Sequence, residues 1–158
     1  MSNDVCGYIF PAIDMTHKDM LKKYISTCET GIDIINKDQL YNFPKDMDPT
    51  EDLFCFLIGD RPDYPNATYL IDYCQYDPVS AHLDIGFPAD PRDRLNILIE
   101  TLKDIFNVSG AVKMVVAITE CNQIETIKKI KLPELYDVIH ADFEEYQAPP
   151  DTLYEITN

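Results

Sequence analysis

Hydrophobic and polar positions follow two rhythms along this chain, and the cleanest change from one to the other falls between Asp90 and Thr119. Leu95, Leu98, Ile99, Leu102, Ile105 and Phe106 recur at three- and four-residue spacing, the stripe of a helix buried on one side. Asp90 suits the N-cap, Pro91 the first helical position, and Asp93 the positive end of the macrodipole. Ser109-Gly110 breaks the helix, and Val112, Met114, Val115, Val116, Ala117 and Ile118 then run almost without interruption. Such a run predicts a strand covered on both faces. This helix and strand read as the scaffold.

The same reading predicts a strand over 5–13, with Pro11 at its edge, and then a helix. In that helix Thr16 and Asp19 form a capping pair, Met20, Leu21, Tyr24, Ile25 and Cys28 face inward, and Gly31 is the stop. Ile32, Ile34 and Ile35 suit a short extended segment, and 38–43 a brief helix. A polar loop over 44–51 precedes a buried strand over 53–58. Pro62 and Pro65 make 59–66 an exposed loop, and two strands, 68–76 and 81–87, meet through a four-residue turn at 77–80. After the scaffold strand, residues 120–123 turn into a strand over 124–132. Pro133 opens a last helix with Leu135, Val138, Ile139, Phe143 and Tyr146 inward, Pro149-Pro150 ends it, and 153–156 is a short strand. Consecutive strands imply hairpins. The expected fold is therefore α+β, a mostly antiparallel sheet with about three helices packed on it, rather than a doubly wound parallel sheet.

Length adds that 158 residues suit a single globular domain, 1–158, able to bury a core without staples. The 46% hydrophobic content fits that, but a formal net charge of -15 is extreme for the size. Self-repulsion on this scale opposes compaction, so its retention needs an account: high solubility is the simple one, a basic protein partner the sharper one. Nucleic acid and anionic membrane would be repelled, and neither is expected as a partner. Met1-Ser2-Asn3-Asp4 lacks the basic-then-apolar pattern of a secretory signal, and no apolar run reaches membrane-spanning length. Five scattered cysteines, Cys6, Cys28, Cys55, Cys74 and Cys121, fit reduced thiols in a cytoplasmic protein better than a disulfide framework or a zinc site.

The acids are unevenly placed. Residues 44–90 carry ten acids against Lys45 and Arg61, and residues 132–158 carry seven acids with no lysine or arginine. In the first block Asp46, Asp48, Glu51, Asp60 and Asp63 lie in loops, beside Tyr64. In the second, Glu134, Asp137, Asp142, Glu144 and Glu145 occupy the non-apolar side of the last helix, with Tyr146 nearby and Asp151 following. A helix with acids at i, i+3 and i+4 and no basic partner forgoes the usual pair stabilisation. A solvated face is the simple account of either block. Two blocks with aromatic neighbours make a carboxylate surface that can steer a basic protein by long-range attraction.

Other chemistry is thin. Asp46, Asp48 and Asp52 resemble part of a calcium loop, but Glu51 stands where glycine is needed and Leu57 where a bidentate glutamate belongs. His82 and Asp84 alternate on one strand beside Cys74, which invites thiol or hydrolytic chemistry. With the turn at 77–80, however, Cys74 faces Leu83 and His82 faces Gln75, so thiol and imidazole point to opposite sides; a one-residue slip would reverse that. A core cysteine and a surface His-Asp pair is the simpler account. His140, between Asp137 and Glu144, suits a surface ion pair, and His17 has no evident partner. The three histidines have no metal-ligand spacing, the five glycines form no phosphate loop, and the Tyr69, Ile71, Tyr73 stripe suits a covered sheet face. No cofactor is expected.

In these features, a small domain with two acidic blocks, scattered cysteines and no catalytic motif, the chain resembles the immunity proteins of bacterial toxin–immunity systems, including contact-dependent growth inhibition. That resemblance implies a cytoplasmic inhibitor, not an enzyme, which binds one cognate basic toxin, often a nuclease, and masks its active or substrate-binding surface. It implies no particular fold and assigns no residue. The alternative is a small hydrolase using His82 and Asp84.

Overall fold

Among the described residues, six strands form one sheet in the order β2-β3-β1-β4-β6-β5, with the helices 15–27, 91–109 and 135–146 on one of its faces. The structure, a computed structural model, describes residues 4–10, 14–28, 30–40, 43–47, 53–58, 70–71, 88, 90–120 and 123–158. The elements are β1 (Asp4–Phe10), α1 (Met15–Thr27), β2 (Ile32–Ile35), β3 (Phe54–Ile58), α2 (Pro91–Ser109), β4 (Lys113–Thr119), β5 (Thr126–Lys131), α3 (Leu135–Tyr146) and β6 (Thr152–Thr157). Short 3-10 turns lie at Lys37–Gln39 and Leu132–Glu134. The expected α+β class holds: every pairing is antiparallel except β5 with β6.

The route to that sheet differs from a set of tight hairpins. β1 lies between β3 and β4 and runs antiparallel to both, pairing Val5 with Ile58 on one side and with Ile118 on the other. β1-α1-β2 and β3-α2-β4 are therefore both crossovers between parallel strands with one antiparallel strand inserted. Among the described residues only β5-α3-β6 joins two strands that touch in parallel. Leu70 is helical rather than extended, against the strand expected over 68–76; it and Ile71 are both fully buried, which consecutive residues of a one-sided strand are not. The rest of that strand and the expected strand over 81–87, with Cys74, His82 and Asp84, lie outside the described residues.

The scaffold forms as its pattern predicts. Asp90 Oδ1 accepts from the Arg92 amide, Pro91 opens the helix, and Gly110 closes it with φ 68°. All six stripe residues are buried, and they pack with Val5, Ile9, Phe56, Met114, Val116 and Ile118 in the main core. Val112, however, falls before β4 and is exposed. At Gly7 the β1–β4 packing leaves no room for a side chain: a Cβ there would lie 2.1 Å from the Val115 carbonyl oxygen. The opposite face of the sheet carries a smaller cluster of Tyr8, Cys55, Val115 and Leu153, covered by Leu40, Phe43 and Met47. Tyr8 Oη donates to the Met47 carbonyl at 2.8 Å, pinning the 43–47 segment there.

Local corrections concern helix ends and helix faces. α1 is capped by Asp14, whose Oδ1 accepts from the His17 amide at 2.8 Å, not by a Thr16–Asp19 pair. It ends at Thr27 with Cys28 in extended geometry, before Gly31 is reached. Met20 and Tyr146, expected inside, are half exposed or more. The last helix begins after a 3-10 turn, and it stops at Gln147, which takes the left-handed conformation and donates its amide to the Phe143 carbonyl.

Candidate functional site

The outer face of α3 holds the second acidic block. Asp137, Glu144 and Glu145 are exposed, and Tyr136 (41% exposed) and Tyr146 (57%) stand among them. Glu144 Oε1 accepts from Arg92 Nη1 on α2 at 3.0 Å, an exposed pair of modest worth. Asp137, Glu145 and Tyr146 thus stand where a partner can reach them.

Two acids expected on that surface do internal work instead. Asp142 is 4% exposed, not on the solvent side. Its Oδ2 accepts from Tyr154 Oη at 2.7 Å, and its Oδ1 pairs with Lys128 of β5. A carboxylate in an apolar layer needs such partners. Burial, then the adjacent Asp142 carboxylate, raises the Tyr154 hydroxyl far above its ordinary pKa, so the phenol stays a donor. Asp151 has φ 50°, and its Oδ1 accepts from the Glu120 amide at 2.8 Å. Its carbonyl accepts from the Glu125 amide, so it ties the start of β6 to the β4–β5 connection.

Of the loop acids expected in the first block, Asp46 is the one that can be placed relative to α3 among the described residues. Asp46 lies exposed in the 43–47 segment, on the face of the sheet away from α3. Asp48, Glu51, Asp60, Asp63 and Tyr64 lie outside the described residues.

His140 is a buried residue, not a surface ion-pair partner. It is 4% exposed in the seam between α2 and α3, its Nε2 lies 2.6 Å from Asn96 Oδ1, and its Nδ1 has no hydrogen-bond partner among the described residues. Tyr136 packs over its ring with centroids 4.4 Å apart. Burial, followed by the nearby Arg92 guanidinium, lowers its pKa; Glu144 and Asp137 oppose this without reversing it. His17 does have a partner: its Nδ1 lies 2.9 Å from both carboxylate oxygens of Asp14. The hydrogen bond from the His17 amide, then that ring contact, holds Asp14 below its usual range.

A groove of about 430 Å³ runs between the end of α1 and the middle of α2, and nothing in the hydropathy pattern announced it. Tyr24, Cys28 and Thr30 form one wall; Asn96, Ile97, Glu100, Thr101 and Asp104 form the other. Its hydroxyls are occupied internally: Thr101 Oγ1 donates to the Ile97 carbonyl at 2.8 Å and lies 3.1 Å from Thr30 Oγ1. Tyr24 Oη donates to Asp104 Oδ2 at 3.1 Å, and Cys28 Sγ lies 3.5 Å from the same hydroxyl. Burial, then the thiol and the carboxylate, push the Tyr24 pKa well above the ordinary value. The signal for this groove is present in the sequence, as i, i+4 spacing of Tyr24 with Cys28 and i, i+4, i+8 spacing of Asn96, Glu100 and Asp104. Spacing alone does not say that the two flanks meet.

Among the described residues no group of three or more His, Cys, Asp or Glu side chains converges as metal ligands would. No helix of the described residues is long and apolar enough to cross a membrane. Comparison with protein-family models, with curated proteins and with solved structures found no match.

Proposed function

We propose that this chain is a cytoplasmic binding protein of the immunity or inhibitor type, which neutralises a basic toxin domain by covering its active or substrate-binding surface. The observation that carries the reading is the outer face of α3, where Asp137, Glu144 and Glu145 stand with exposed Tyr136 and Tyr146 in a 27-residue stretch, 132–158, free of lysine and arginine. Aromatic anchors among like charges are what a steered protein interface needs: the carboxylates raise the encounter rate, and the rings supply buried area. Attachment of α3 to the sheet through Leu135, Ile139, Phe143 and Asp142 keeps that face rigid, so little ordering entropy is lost on binding.

The test is association with the basic C-terminal domain of a large secreted protein encoded immediately upstream, if gene neighbourhood supplies one, measured by surface plasmon resonance at low and high salt. Asp137→Asn, Glu145→Gln and Tyr146→Ala combined should slow association and weaken salt dependence while leaving the thermal midpoint unchanged. Equal affinity of this variant and the native chain would remove α3 as the binding face.

A further inference from the structure

We propose that the α1–α2 groove receives an arginine side chain of the basic partner, so that a second contact lies away from α3; this rests on the reading of the chain as a binder of a basic protein. Three properties of the groove select that occupant. Its volume, about 430 Å³, lies at the low end of ligand pockets, which run from about 300 to 1,000 Å³. That is ample room for a whole side chain of a partner. The groove walls carry apolar surface, with Cys28 on one and Ile97 on the other, and the Thr101 hydroxyl is already spent on the Ile97 carbonyl. This lining favours a methylene stem over a polar one.

Its rim is anionic and aromatic. Glu100 and Asp104 stand one turn apart on α2, at the spacing that sets side chains side by side. Tyr24 holds Asp104 by Oδ2, which leaves Oδ1 available among the described residues. The Glu100 carboxylate is 66% exposed, and its ion-pair contact to Lys103 Nζ is long at 3.8 Å. Such a pair is worth little and exchanges readily. Two carboxylates beside a tyrosine ring match a guanidinium, whose planar fork can bond both acids and stack on an aromatic face, better than they match a compact ammonium.

The experiment is a titration of the full chain, labelled with nitrogen-15, with Nα-acetyl-argininamide, followed by amide shifts. The matched probes are the citrulline analogue, with the same stem and no charge, and the lysine analogue. The arginine compound should give saturable shifts at Tyr24, Ile97 and Thr101 with a dissociation constant on the order of millimolar. Citrulline should give none, and lysine should bind at least about threefold more weakly. Glu100→Gln with Asp104→Asn should weaken arginine binding by about tenfold, and Lys103→Gln, which removes the competing cation, should tighten it. Absent shifts, shifts confined to α3, equal response to citrulline, or equal binding of lysine would each overturn the assignment. Because the probe is a small molecule and the α3 reading is tested with the toxin domain, failure of one is distinguishable from failure of the other.

Discussion

Nε2 of His140 lies 2.6 Å from Oδ1 of Asn96, and this contact joins α3 to α2 through a side chain 4% exposed. With Asn96 Oδ1 as acceptor, Nε2 carries the proton and Nδ1 is bare in a buried seam. A second proton would sit where no acceptor meets it, which is why burial lowers this pKa. The native pKa lies below the unfolded value of about 6.5, so the unfolded chain binds more protons as pH falls. Stability is then complete above about pH 6.5 and is lost as pH falls through the window between the two values. The urea midpoint should drop between neutral pH and about pH 5.5, and His140→Leu should flatten that drop relative to the native chain. Parallel profiles for the two proteins would show that another group titrates.

Tyr154, Asp142 and Lys128 form a second polar linkage, between α3 and the β5–β6 edge. Tyr154→Phe removes one donor from a buried carboxylate and should cost about 1.5–3 kcal/mol in urea unfolding. Asp142→Asn should cost a similar amount, and the double variant should cost clearly less than the two together, because both changes break one network.

Gly7→Ala is expected to be among the most damaging single changes in the chain. The added methyl would meet the Val115 carbonyl at 2.1 Å, backbone against backbone, with no rotamer to relieve it. β1 and β4 would have to part at the centre of the sheet, at a cost above about 4 kcal/mol, the exceptional end of single-site effects. Soluble yield and chemical denaturation would read this directly.

Surface acids should behave oppositely. Asp137→Asn and Glu145→Gln remove charge from exposed positions without breaking a side-chain hydrogen bond among the described residues, so stability should change by less than about 0.5 kcal/mol. Any loss of binding in these variants is then a property of the interface. Asp142→Asn does not belong with them, although all three residues share one helix.

What could be read in advance divides along physical lines. The α2–β4 scaffold was legible because a 19-residue stripe with Asp90, Pro91 and Gly110 at its ends repeats one message many times. The α+β class followed from runs of strands, but their neighbours did not. Local pattern carries no information that β1 slots between β3 and β4, nor did the hairpin argument foresee that β5 and β6 pair in parallel. Helix faces were legible near their middle and lost near their edges. Met20 borders the α1 stripe, and Tyr146 is in phase with Phe143 but sits on the last turn, where little remains beneath it to cover it. Asp142 looked like its acidic neighbours because burial depends on Tyr154 and Lys128, which arrive from other strands. The groove was invisible for the same reason: Tyr24 and Asp104 meet only once α1 and α2 lie side by side.

The place of β1 has a consequence for synthesis. Val5 must find Ile58 on one side and Ile118 on the other, so the central strand is made long before its second neighbour exists. At about 5–20 residues per second, translation leaves its apolar side chains and one hydrogen-bonding edge open for roughly 5–20 s. Nascent chains with open strand edges stick to one another, and long-range pairing of this kind closes slowly. The 112 residues made before β4 hold 9 basic and 19 acidic residues, a formal net charge of -10, which repels one incomplete chain from the next. The acidity of the chain therefore serves it before its sheet is complete.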